Sequence, residues 1–144
     1  MAITQALPNS FKKQLLDGDQ DFSSTGGDVF KLALYVSTAT LGAATTSYTT
    51  SGEVSSSGTG YTTGGKALVN SGTSVVSTVA FTDFADLSFT SVTLTARGCL
   101  IYNTSFSNSA VAVLNFGADK TATSGTFTIQ FPAFTSSAAI IRIS

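Results

Sequence analysis

The sequence predicts an all-β domain, a β-sandwich or jelly roll with one short N-terminal helix, and three observations carry that reading. First, charged residues supply only 10% of the chain, against about 25% in an ordinary soluble domain, while Ser and Thr occupy 44 of the 144 positions. Solubility therefore rests on hydroxyls, and Thr, Val and Phe suit a pleated, half-buried surface. Second, apolar residues recur with period two in several runs. Third, those runs are short and are separated by Gly, Ser, Asn and Asp, the spacing of a sandwich rather than of a βαβ pattern. A chain of 144 residues can build one core, so residues 1–144 are read as one domain.

From Pro8 to Gly18 the chain reads as a helix. Pro8 or Asn9 opens it, Phe11, Leu15 and Leu16 form an apolar stripe, and Gly18 closes it in a left-handed conformation. So short a helix must dock, either on its own domain or on a neighbouring subunit. Between Val29 and Val36 the even positions Phe30, Leu32, Leu34 and Val36 are apolar and Lys31 is odd, which predicts a strand with one buried face. Residues 38–65 are rich in Ser, Thr and Gly with few apolar anchors, and are read as a long loop, a candidate contact arm. Strands follow at Ala67–Asn70, Val75–Phe81, Leu87–Phe89, Val92–Tyr102, Ala110–Phe116, Phe127–Phe131 and Ala139–Ile143. A bulge or turn near Thr90 and Ser91 reconciles the opposite parities on its two sides, and Pro132 marks a strand end or edge.

Chemistry is scarce. The chain has no histidine, which removes Ser-His and Cys-His pairs and the usual neutral metal ligand. Cys99, the one cysteine, lies in an apolar strand beside Arg97 and is read as a small packing residue; no intrachain disulfide can form. Gly60 to Lys66 has phosphate-loop spacing, but Ala67 stands where magnesium needs a hydroxyl. Gly58 and Gly60 begin a dinucleotide pattern that Thr63 breaks. Asp17, Asp19 and Asp21 alternate like calcium ligands, with Asp28 at the twelfth position, but Phe22 replaces the glycine such a loop requires. Asp83 and Asp86 flank Phe84 and are read as turn-capping residues rather than a glycosidase pair. No cofactor and no metal is expected, and no enzymatic activity. A net charge of −1 offers no positive field for nucleic acid or an anionic membrane. The N-terminus lacks the pattern of a signal peptide, and no run approaches the ~20 apolar residues of a membrane span.

Several segments carry a resemblance. Phe11-Lys12-Lys13-Gln14-Leu15-Leu16-Asp17-Gly18, followed by Asp28 to Tyr35, resembles the opening of small virion proteins of tailed bacteriophages, cyanophages included. The segments Thr95 to Asn103, Ala110 to Gly117, Phe127 to Pro132 and Ala139 to Ile143 are similar to the same group. The resemblance implies a capsid cement or decoration protein of the virion, made in the host cytoplasm, that binds the major capsid protein lattice and stabilises the head. It further implies a homo-oligomer, with a trimer favoured. Phe11, Leu15 and Leu16, with Tyr48 and Tyr61 in the long loop, are the candidate protein-contact residues. The alternative expectation is a tail or fibre domain that recognises a host-surface glycan, with Tyr48, Tyr61 and Tyr102 as stacking residues.

Overall fold

The computed structural model describes residues 2–144, in the order α1 (Asn9–Asp17), β1 (Phe30–Tyr35), β2 (Lys66–Ala67), β3 (Asn70–Val76), β4 (Val79–Phe84), β5 (Leu87–Asn103), β6 (Ser109–Ile129) and β7 (Ile141–Ile143). Every strand pairing is antiparallel. The strands form a four-stranded sheet, ordered β2-β1-β5-β6, and a three-stranded sheet, ordered β3-β4-β7. The chain is thus an all-β sandwich with one short helix, as its composition and alternation predict.

Local chemistry accounts for the helix. Pro8 precedes it with φ −56°, and Gly18 ends it at φ 82°, donating its N–H to the carbonyls of Gln14 and Leu15. The sheet follows a less simple pattern. In β1, Phe30, Leu32 and Leu34 enter a core shared with Phe84 of β4 and Ile141 of β7, while Ala33 and Tyr35 enter a second cluster on the opposite face. The expectation of one buried face is therefore corrected: β1 is buried on both. Ile3, Ala39 and Leu41 cover the second face together with Leu100 and Tyr102 of β5.

An aromatic chain ties the layers together. Phe11 meets Phe22 edge-on at 6.0 Å, Phe22 stacks on Phe30 at 4.6 Å, Phe30 meets Phe84 at 5.6 Å, and Phe84 meets Phe131 at 5.8 Å. Each such pair contributes about 0.5–1.5 kcal/mol beyond its buried area.

Several strand boundaries differ from those the sequence predicts. Ala67–Asn70 is divided, since β2 ends at Ala67 and β3 begins at Asn70, and Ala139–Ile143 shortens to Ile141–Ile143. Val75–Phe81 is two strands, because the chain reverses at Ser77, whose φ is 54°. Leu87–Phe89 and Val92–Tyr102 are one strand, β5, with a register shift between Phe89 and Val92 and a φ of 55° at Ser91; of the bulge or turn expected there, the structure has the bulge. Ala110–Phe116 and Phe127–Phe131 are also one strand, β6. Its middle is exposed on both faces, so it carries no apolar alternation to mark it. A second shift, between Ala96 and Gly98, swaps the faces of β5. Val92, Leu94 and Ala96 face the main core, whereas Leu100 and Tyr102, at positions of the same parity, lie in the opposite cluster.

Residues 38–65 contain no strand, as expected of a loop, but the expectation of few anchors is corrected. Ala39, Leu41, Val54 and Tyr61 are all buried. Two backbone bonds fix the loop along β1: Val36 N donates to Gly52 O and Val54 N to Leu34 O, both at 2.9 Å. The glycines at its end serve this approach. A Cβ at Gly65, whose φ is +77°, would lie 1.8 Å from Leu32 O. Gly58 also has positive φ, yet faces open space. Gly65→Ala is expected to cost about 3 kcal/mol or more, and Gly58→Ala about 1–2 kcal/mol, in urea denaturation. Equal losses would contradict the close approach at Gly65.

Candidate functional site

The residues around the loop show which polar groups are free for chemistry. All four tyrosines of the chain donate their hydroxyls within this region. Glu53, the only glutamate in the sequence, is their centre. Its Oε2 accepts from Tyr48 Oη at 2.6 Å, and its Oε1 accepts from Tyr61 Oη and from Gly64 N, each at 2.7 Å. Tyr61 Oη in turn accepts from Leu34 N of β1 at 3.0 Å. Tyr102 donates to Gly64 O at 2.6 Å and Tyr35 to Thr49 O at 2.5 Å. A carboxylate holding three donors is a clamp, not an available base, and bonds to a charged acceptor contribute about 1.5–3 kcal/mol each. The only sequence signal for this clamp is a lone acid in an otherwise uncharged Ser- and Gly-rich stretch.

The candidate contact residues separate on inspection. Phe11 is 0% exposed, packed on Phe22 in the main core, so its expected contact role is corrected: it is a structural residue of the helix interface. Leu15 packs half-buried against the same core, and Leu16, expected to share the stripe, is 91% exposed. Tyr61 is buried beneath the loop, which corrects its assignment to a contact surface. Tyr48 keeps part of its surface and stacks on Tyr102 at 4.7 Å. Tyr102 itself is buried, so the three tyrosines do not present a shared platform.

Most residues with catalytic or ligating potential are engaged in structural bonds or sealed by burial. Burial pushes the Cys99 thiol far above its ordinary range. Lys66 Nζ donates to Ser88 O at 2.7 Å, and Gly64 N is taken by Glu53, so the phosphate-loop spacing serves packing. Asp17 pairs with Lys13, Asp21 Oδ1 accepts from Ser23 N and Oγ, and Asp28 Oδ2 accepts from Asp21 N and Asn103 Nδ2. Among the described residues no three acidic, histidine or cysteine side chains converge on a metal position. Asp86 caps Phe131 N at 2.8 Å. Asp83 is buried; its Oδ1 accepts from Phe84 N while Oδ2 has no partner among the described residues, and burial raises its carboxyl pKa.

What remains free is apolar surface. Val75 of β3, Ala80 of β4 and Ile143 of β7 are cross-strand neighbours on one face of the small sheet, and all three are exposed. Val76 and Phe134 are exposed near the same hairpin. Periodicity does not mark this surface, because the apolar residues from Val75 to Phe81, interrupted only by Ser77 and Thr78, read as one strand. The outer strands β3 and β7 both end the sheet, so their outer edges are unpaired within it. Comparison with family models, with curated proteins and with solved structures finds no match.

The tyrosine clamp has a consequence at high pH. Burial raises the phenol of Tyr102 to about 12, and it raises Tyr61, Tyr35 and Tyr48 further, with the Glu53 charge adding to each. Phenols whose folded pKa exceeds the unfolded value of about 10 add stability that is complete below that pH and lost as pH rises through the folded values. Ultraviolet titration is expected to show no tyrosinate until well above pH ~10, with ionisation coinciding with loss of the fold. Tyrosinate appearing near pH ~10 in the folded protein would contradict the clamp.

Proposed function

We propose that this chain is a structural protein of a tailed-phage particle, a capsid cement or decoration protein that binds the major capsid protein lattice as a homo-oligomer. The observation that carries the reading is the exposed row Val75, Ala80 and Ile143 on a sheet with two open edges. Contiguous apolar surface on a small domain marks a contact with another chain, and open edges favour ordered pairing. The resemblance of the helix and strand segments to small virion proteins supports the same assignment. So does the chemistry of the interior, where Cys99 is sealed and Glu53 is saturated with donors.

The composition fits such a role. Repeated weak contacts made through an oligomer gain avidity by orders of magnitude without any single tight contact. A surface with 10% charged residues makes contacts that respond weakly to salt, since screening acts on exposed charges over about 10 Å at 0.1 M.

The test is co-sedimentation with empty capsids, with the mass of the free protein measured by light scattering. Val75→Ser with Ile143→Ser is expected to weaken capsid binding at least about tenfold, equivalent to ~1.4 kcal/mol, with the fold intact by circular dichroism. Unchanged binding by the folded double variant would overturn the assignment of this face, and no capsid binding by the unaltered protein would overturn the particle role.

A further inference from the structure

We propose that the outer edge of β6 from Lys120 to Ile129 is a strand-addition site for an extended segment of another protein, apolar at alternate positions and carrying an acidic side chain opposite Lys120. This concerns a surface remote in sequence from the small-sheet row and does not rest on the particle reading.

β6 is the terminal strand of the four-stranded sheet, and it is long, at 21 residues. The chain itself shows that its edge accepts strands. Ala6 and Val113 exchange both backbone bonds, at 3.0 and 2.9 Å, in an antiparallel bridge, and Gln5 Oε1 accepts from Asn115 N at 3.2 Å. Beyond Asn115 the N-terminal segment leaves the edge, and among the described residues no backbone partner takes its place from Lys120 to Ile129. The chain bulges out between Phe116 and Lys120, with Gly117 at φ 81° and the Arg97–Asp119 pair at 2.9 Å, which delimits the free stretch at one end. Pro132 delimits the other.

A groove runs beside this stretch. It has a volume of about 610 Å³, and its lining includes Gln5, Pro132 and Ile140. Leu114 and Phe116 lie partly exposed on its wall, and the edges of Phe127, Ile129 and Phe131 form its floor. An added strand would satisfy the free backbone groups and place every second side chain over this apolar floor.

Charge selects the occupant. Lys120 is the only charged side chain lining the groove, and no carboxylate lies within ion-pair distance of it among the described residues. A second copy offering the same stretch brings no carboxylate to Lys120, since residues 120–129 contain none. A segment with an acid at the matching position satisfies the lysine and the backbone together.

The experiment uses the full chain and two C-terminally amidated synthetic peptides, each alternating Thr and Val, one with Glu and the other with Lys near the C-terminal end, which antiparallel pairing sets against Lys120. Hydrogen exchange is followed by NMR, and affinity by fluorescence anisotropy. The Glu peptide is expected to slow exchange at amides between Lys120 and Ile129 and to bind roughly threefold tighter than the Lys peptide, the scale of an exposed ion pair. Lys120→Glu, at an exposed position, is expected to keep the fold and to reverse that preference. The proposal is overturned if neither peptide protects these amides, or if the preference survives in Lys120→Glu. It is likewise overturned if protection of β6 rises with protein concentration alone, which would assign the edge to a second copy.

Discussion

Burial of β1 and the adjoining end of β5 on both faces is the constraint from which the rest of this structure follows. A strand in that position has no solvent face to carry polar alternation, so Ala33, Leu34, Tyr35, Leu100 and Ile101 are all apolar and all buried. One face is covered by the small sheet and the aromatic chain that begins at Phe11. The other needs a cover that the strands cannot supply, and irregular chain supplies it.

Irregular chain is an expensive cover, because its backbone groups must find partners where water is excluded. The loop from 38 to 65 meets that demand with bridges to β1 and with the clamp of tyrosine hydroxyls on Glu53. Gly65 and Gly60 let its backbone reach Leu32 and Ser91 more closely than any side chain would allow. The same logic explains why a sequence that looks flexible is held in place: Ala39 and Leu41 reach the second core cluster, and Val54 and Tyr61 reach the main one.

How much of this was legible in the sequence varied with the kind of signal. The helix was readable from Pro8 and Gly18 because caps are local chemistry, and β5 with its bulge from alternation that changes parity. The hairpin at Ser77 was hidden, since its turn residues Ser77 and Thr78 lie between apolar flanks and include no glycine. The middle of β6 was hidden for the opposite reason, being solvated on both faces. Of the candidate contact residues, Phe11 and Tyr61 proved to be interior and Leu16 exposed, because a period of four marks a helix face without saying how far the neighbouring core extends. The clamp on Glu53 and the exposed row at Val75 depend on pairings distant in sequence, which periodicity does not encode.

The functional surfaces are then those left over once both faces of β1 are covered: the small sheet with its open edges, and the outer rim of β6. Native-state hydrogen exchange tests the central constraint most directly. If double-sided burial organises the fold, the amides of Leu32 to Leu34 and of Leu100 and Ile101 exchange only through global unfolding, while those of β3 and β7 open locally at much lower free energy. Exchange from β1 as rapid as from β3 would contradict it.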